Sequence, residues 1–168
     1  MLVPGLYRAH DELKSKSLEN AVGSLSVTGD RRVLFVSLFL LYHLCHLDSQ
    51  SAFWTHHREL TTGERPFVKA DGLEKVVSAA EALSPRFPNP RLFFTTMKNP
   101  SLDAHERVML TWARDRMRER ACAVLRKAYL EAGKDWIFAT LDLSEEDGRE
   151  WIKKEGFRIE GEKVKLRQ

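Results

Sequence analysis

The chain has 168 residues, of which 43% are hydrophobic and 30% charged, and its formal net charge at pH 7 is +3. This composition excludes an intrinsically disordered chain, and the near balance of 27 basic against 24 acidic residues argues against a protein whose main task is neutralising phosphates. The length allows a sizeable core in one domain, or in one helical array with a small terminal module. Cys45 and Cys122 lie in apolar helical stretches far from any metal-binding spacing, so we expect buried free thiols.

The first elements along the chain are predicted to be helices. A short helix is expected over 9–22, and the most apolar run of the sequence covers 33–47. That run contains His43 and His46 and is too short to span a bilayer. It also lacks the basic start and the cleavage site of a signal peptide. We therefore predict a buried helix, no membrane segment and a cytoplasmic protein, with nuclear residence as the alternative.

Further helices follow in series. Helical spacing of apolar residues predicts elements over 49–60 and 73–83, and a short aromatic segment covers 91–98. The longest helix is predicted over 101–131, where apolar residues recur at intervals of three and four, and Gly133 ends it. Helices of this length joined by short turns favour a helical array.

The end of the sequence is typical of a helix followed by a β-hairpin. Ser144 is placed to cap the helix, with Asp147 as the capping-box acid, and Gly156 supplies the left-handed residue that ends it. Two strands with alternating apolar and charged residues then flank a turn around Gly161. A third strand is expected at 136–138.

These elements predict a mainly α fold. A helical array over 1–132 is expected to be followed by a C-terminal winged-helix module with a β-hairpin over 133–168. Such a module can read DNA or dock a protein, so the fold alone does not decide the function.

The sequence gives no reason to expect a catalytic, metal or cofactor site. Five candidate metal ligands lie close together in the sequence, namely His43, Cys45, His46, His56 and His57. Nothing completes a familiar zinc ligand set around them, and none of the glycines forms a phosphate-binding loop. The acids at 145–146 lie at a predicted helix start, where the helix dipole favours carboxylates. We predict no catalytic residue, metal, cofactor or small-molecule substrate.

A cluster of arginines is the best sign of nucleic-acid binding. Its members are Arg114, Arg116, Arg118 and Arg120. Acidic residues interleave with them, and the predicted helix over 145–155 carries five acids against three bases, so a recognition face there would repel phosphate. RNA contact through Arg114, Arg118 and Arg120 is therefore a secondary prediction, with ion pairing along the helix as the alternative.

Large apolar residues near the end of the chain exceed what so small a module needs for its core. We expect them to form a partner-docking surface, because aromatic residues near an edge hairpin often anchor partners. The candidate interface residues are Trp136, Phe138, Trp151, Phe157, Ile159, Val164 and Leu166. The alternative is that they bind the module to the preceding helix, and both roles can hold at once.

Several segments together resemble the PCI-domain family. They are the helical segment 115–129, which ends in Ala128-Tyr129, the steps Asp135-Trp136-Ile137 and Leu143-Ser144, and the run 151–157. The resemblance covers roughly 33–168 and is to the small-subunit branch of the family. That branch contains translation initiation factor three subunit k, the smallest PCI subunit of the signalosome and proteasome lid subunit twelve. Among these, the segments look most like subunit k.

The resemblance implies a PCI-type helical array and a non-catalytic scaffold subunit. Its winged-helix edge would pair with a neighbouring PCI subunit, because an edge strand leaves backbone groups unpaired. The expected assembly is the initiation-factor complex on the small ribosomal subunit, with the proteasome lid and the signalosome as alternatives. An alternative of another class is a winged-helix protein that binds nucleic acid, including the PCI scaffolds of messenger RNA export.

Overall fold

The structure is a computed structural model that describes residues 29–166. The helix predicted over 9–22 lies outside the described residues. The described chain is mainly helical, with one small antiparallel sheet of three strands near its carboxyl end. Within these residues no helix is both long enough and apolar enough to cross a membrane.

The helical array comprises six α-helices joined by short turns. They are α1 (Gly29–Leu41), α2 (Gln50–Thr61), α3 (Glu74–Ala82), α4 (Pro90–Met97), α5 (Ala104–Trp112) and α6 (Arg114–Ala128). A π-helical turn, Tyr42–His46, extends α1, and a 3-10 turn, Ala70–Leu73, precedes α3. The helices predicted over 49–60 and 73–83 are confirmed, and the aromatic segment 91–98 forms α4.

Side-chain caps explain where three of these helices begin. Ser49 and Asn89 each accept a hydrogen bond from the backbone N–H three residues on, at 3.3 and 3.0 Å. A capping box opens α5, in which the Glu106 carboxylate accepts the N–H of Asp103 at 2.8 Å. Each cap satisfies backbone donors that have no partner in the first turn of a helix.

The turn between α1 and α2 depends on Asp48. The π-helical turn closes with the Leu47 N–H donating to the Tyr42 carbonyl at 3.2 Å. Asp48 then adopts φ = 50°, the left-handed region that few residues other than glycine, asparagine and aspartate visit. The chain thereby reverses direction and enters α2 through the Ser49 cap.

The first core lies among α1 to α5 and reaches the start of α6. Its largest fully buried side chains are Phe53, Phe93, Leu40, Leu41, Leu44, Leu73, Leu83, Leu110 and Met117. Helix α3 packs on α4, and α5 packs on α1. Burial of each large apolar side chain contributes about 1.5–3 kcal/mol, so this core supplies most of the stability of the array.

The prediction of one long helix over 101–131 is wrong. The chain instead forms α5 and α6, which meet at Ala113. There the Ala113 N–H donates to the carbonyl of Leu110, three residues back, while the Ala113 carbonyl accepts the first bond of α6 from Met117. No glycine or proline marks the junction, and Ala113 is fully buried in the first core. Tertiary packing therefore sets this break.

The C-terminal module, residues 131–166, combines two helices with the sheet. Its elements are β1 (Glu131–Gly133), α7 (Lys134–Leu141), α8 (Glu145–Lys154), β2 (Arg158–Glu160) and β3 (Lys163–Lys165). The strand order is β1-β3-β2, and Val164 of β3 lies opposite both Ala132 and Ile159. The strand predicted at 136–138 is wrong, because these residues lie inside α7 and the third strand is β1.

The Ser144 cap and the glycine and hairpin signals in this module are confirmed, but the capping box is not, because the Asp147 carboxylate accepts the Ser144 hydroxyl at 2.7 Å instead of its backbone N–H. The Ser144 hydroxyl accepts the Asp147 N–H at 3.1 Å and caps α8. Gly156, after the helix, has φ = 75°, and Gly161, in the hairpin turn, has φ = 60°. Both values lie in the left-handed region that glycine adopts without steric cost.

The second core lies between the carboxyl half of α6 and the module. It contains Ala121, Cys122, Leu125, Ile137, Phe138, Leu141, Ile152, Phe157, Val164 and Leu166. Helix α6 therefore serves both cores, since Met117 belongs to the first. Cys45 and Cys122 are buried free thiols as expected, and burial raises the pKa of each to about 12.

Candidate protein-docking surface

The sheet of the C-terminal module has two open edges. Strand β3 is central, and among the described residues β1 and β2 each pair with β3 alone. The backbone groups on the outer side of an edge strand are available to another strand. The module therefore offers two places where a partner could extend the sheet.

The β2 edge is short and mostly charged. Arg158 and Glu160 are exposed, and Glu160 pairs with Lys165 of β3 at 2.8 Å. Ile159 lies between them with 41% of its surface exposed. One exposed isoleucine on an open strand gives a partner both backbone hydrogen bonds and an apolar contact.

The β1 edge is flanked by exposed apolar side chains. Leu130 directly precedes the strand with 69% of its surface exposed, and Trp136 in α7 is 49% exposed. The rings of Tyr129 and Trp136 make an edge-to-face contact with centroids 5.8 Å apart. Tyr129 and Leu130 were missed as interface candidates, because the overlong helix predicted over 101–131 placed them inside it. The end of α6 at Ala128 exposes them instead.

The seven predicted interface residues differ in their exposure. Four of them, Phe138, Phe157, Val164 and Leu166, lie in the second core and present at most 9% of their surface. Trp136 and Ile159 are exposed beside the two sheet edges. Trp151 is half-buried, with its ring centroid 5.7 Å from that of Phe157. The four buried residues therefore bind the module to α6, which is the alternative role stated above. Trp136 and Ile159 remain accessible to a partner.

The arginines suggested for RNA contact are largely engaged inside the protein. Arg120 donates to the Leu83 carbonyl at 2.8 Å and to both carboxylate oxygens of Asp48 at 2.9 Å. Arg118 donates to the carbonyls of Leu141 and Asp142 at 3.2 and 3.0 Å. Arg114 is exposed.

Two further arginines of α6 also donate to backbone carbonyls of the same chain. Arg116 donates to the Leu44 carbonyl at 2.8 Å and pairs with Asp48, and Arg126 donates to the Glu155 carbonyl at 2.6 Å. The accepting residues lie at or near the ends of α3, α7, α8 and the π-helical turn. Carbonyls at a helix end have no partner within the helix and carry partial negative charge, so a guanidinium is a favourable cap. The arginines thus join α6 to the elements around it.

The four histidines considered as metal ligands lie on the π-helical turn after α1 and on α2. Among residues 31–166 no group of three potential ligands is placed to hold a metal ion. The rings of His43 and His56 lie 4.8 Å apart, and His57 stacks on Phe53. Burial, with a smaller effect of His56, lowers the pKa of His43, and burial lowers that of His57. These histidines therefore favour the neutral form in the folded state.

No protein-family model, no curated protein and no solved structure matches the chain. The resemblance to the PCI family therefore stays a prediction.

Proposed function

We propose that the chain is a non-catalytic scaffold subunit of a multiprotein complex, built as a PCI-type helical array that ends in a winged helix. The observation that carries this proposal is the topology of the C-terminal module. Helix α6, strand β1, helices α7 and α8 and the β2-β3 hairpin follow one another, and the first strand pairs with the last. This order supports the winged-helix interpretation.

Open sheet edges support a docking role for this module. Ile159 beside one edge, and Leu130 and Trp136 beside the other, are large apolar side chains in contact with solvent. Exposed aromatic and aliphatic residues next to an unpaired strand are suited to β-strand addition by a partner. The neighbouring subunit would extend the sheet and cover these residues.

The contacts of the arginines weigh against the nucleic-acid alternative. Arg118 and Arg120 direct their guanidinium groups to carbonyls and a carboxylate of the same chain. Helix α8 carries Glu145, Glu146 and Asp147 in its first turn, where a winged helix that reads DNA presents basic residues. Among assemblies of PCI subunits, we favour the initiation-factor complex because the sequence segments most resemble its subunit k.

Affinity purification tests the proposal. The tagged full chain is isolated under gentle conditions, and the proteins that accompany it are identified by mass spectrometry. Initiation-factor subunits are the expected result. Subunits of the proteasome lid or signalosome would move the protein to another assembly of the same family. Recovery of the chain alone, or with nucleic acid only, would overturn the proposal.

An edge variant then tests the docking surface. Ile159→Asp places a charge on the β2 edge without touching the second core, so we expect the neighbouring subunit to be lost while the array stays folded. Phe87→Asp is the matched control, because Phe87 is 80% exposed in the turn between α3 and α4. Full assembly of Ile159→Asp would argue against docking at this edge.

A further inference from the structure

Helix α1 carries large apolar side chains on every side. Between Val33 and Tyr42 its one strongly polar residue is Ser37. A helix that is apolar on all sides is ordinarily buried on all sides. The structure buries one side of α1 in the first core, where Val36 and Leu40 have at most 2% of their surface exposed. The same expectation of burial applies to the opposite side.

That opposite side, the outer face of α1, is formed by Phe35, Leu38 and Phe39 of the helix and by Tyr42 of the π-helical turn. These residues are spaced three or four apart, so they lie along one side of the helix. Phe35 has 67% of its surface exposed and Tyr42 40%, whereas the two between them are half-buried. A contiguous stripe of large apolar side chains marks an interaction surface, unlike apolar residues scattered singly.

The segment that directly precedes α1 has a matching sequence pattern. Residues 1–28 lie outside the described part of the chain, and the sequence predicts a helix over 9–22. Leu18, Ala21, Val22 and Leu25 recur at the spacing of one helical face. Charged or polar residues occupy most of the positions between 10 and 20. A helix with this pattern has an apolar side to bury and a polar side to present to water.

The length of this segment fits the outer face of α1. A helix over 9–22 would be about 21 Å long, and Phe35 and Tyr42 are separated by about 10 Å along α1. Residues 23–28 can span up to about 20 Å, which exceeds the distance of about 8–10 Å between the axes of packed helices. The segment can therefore return along α1 in the antiparallel direction, as in an αα-hairpin.

We propose that residues 9–25 of the chain pack on the outer face of α1 and close this end of the helical array. Leu18 and Val22 would cover Phe35 and Leu38. The first helix of an array has no earlier helix to cover it, so a capping element with a polar outer side keeps the array soluble. A neighbouring protein would then meet the polar side of the segment here, and not the apolar residues of α1. The inference does not depend on the proposed function.

Oxidation by hydroxyl radicals, located by mass spectrometry, tests this inference on the full chain. Phe87 is the internal reference, because it is the same type of residue and is 80% exposed, against 67% for Phe35. Without a cover the two rings should be oxidised at similar rates. We expect Phe35 to be oxidised at least about tenfold more slowly, since burial of apolar side chains of this size favours the covered state by that factor or more.

A charge on the apolar side of the segment should remove this protection. In Leu18→Asp the oxidation rate of Phe35 should rise close to that of Phe87, because packing the segment would bury an unpaired carboxylate. Asn20→Asp is the matched control, since it adds the same charge on the opposite side of the predicted helix. Phe35 should stay protected in the control. Circular dichroism verifies that both variants are folded.

Four results would overturn the inference. Phe35 is oxidised as fast as Phe87 in the unchanged protein, or Leu18→Asp leaves Phe35 protected. Asn20→Asp exposes Phe35 as much as Leu18→Asp does. Finally, the protection of Phe35 increases with protein concentration, which would indicate that a second copy of the chain covers α1.

Discussion

The first and second cores share α6 but are closed in different ways. Large aliphatic and phenylalanine side chains from five helices fill the first core, and on α5 the fully buried carboxylate of Glu106 pairs with Lys75 at 2.8 Å. The second core is smaller and depends on one close approach, in which the Phe138 ring lies against Gly148 of α8. At its margin Arg126 stacks over Phe157 at 4.8 Å.

This difference indicates that the C-terminal module depends on the array more than the array depends on the module. The carboxyl half of α6 forms one wall of the second core, and α4 also packs against α7. Arg118 reinforces this contact, since it binds the end of α7 and lies over the Phe94 ring at 5.6 Å. We therefore expect the two cores to unfold together, and the following variants test how strongly they are coupled.

The largest effect is expected from the first core. Phe93→Ala removes a fully buried ring from α4 and should lower the free energy of unfolding by about 3–5 kcal/mol. Urea unfolding measures this free energy, with circular dichroism and tryptophan fluorescence as two separate probes. Coupled cores give one transition by both probes, whereas two separate transitions would show that the module folds independently of the array.

A glycine in α8 gives the corresponding test of the second core. Alanine is ordinarily the better helix former, but a Cβ at Gly148 would overlap the Phe138 ring. We expect Gly148→Ala to destabilise the protein by about 2–3 kcal/mol, measured by urea unfolding. Combining it with Phe138→Leu should recover part of the loss. A neutral or stabilising effect of Gly148→Ala would contradict the close packing described here.

A smaller effect is expected when an arginine contact of α6 is removed. Arg120→Met keeps an apolar stem but leaves Asp48 and the Leu83 carbonyl without this partner, at a cost of about 1 kcal/mol. Arg114→Met is the control, because Arg114 is exposed, and a surface change of this kind costs less than about 0.5 kcal/mol. Equal effects of the two variants on the urea midpoint would remove the structural role assigned to Arg120.

The smallest effect is expected from a fall in pH, which should lower the stability of the protein through His43 and His57. The folded state lowers the pKa of His43 and His57, so the unfolded chain takes up protons first as the pH falls. Stability is then full above the ordinary histidine pKa of about 6.5 and decreases below it, which urea midpoints at about pH 7.5 and 5.5 would detect. His57→Phe should reduce this acid sensitivity, and an unchanged difference between the two midpoints in this variant would contradict the prediction.

Local signals in the sequence predicted much of the fold. The Ser144 cap, the glycines at 156 and 161, and the apolar spacing over 49–60 and 73–83 all act within a few residues, so they could be found without the structure. The break at Ala113 could not be found in this way, because no local residue causes it. The error at Trp136 has a similar origin, since a short apolar run suits a strand and a buried helix equally well.

The candidate site was less predictable because its contacts join residues that are far apart in the chain. The sequence contains the arginines of α6 but not their acceptors, which lie up to 72 residues away in the chain. It also could not separate Val164, which faces the second core, from Ile159, its opposite neighbour at the sheet edge. Strand order decides which of the two is exposed.

The left-handed turn at Asp48 limits which substitutions this position can tolerate. Asp48 combines a positive φ with a carboxylate that receives Arg116 and Arg120. Glycine would supply the backbone conformation without the carboxylate, and asparagine would supply it without the charge. Glutamate would keep the charge but adopts the left-handed region less readily. Aspartate alone meets both requirements, so the reversal between α1 and α2 and the anchoring of α6 depend on the same side chain.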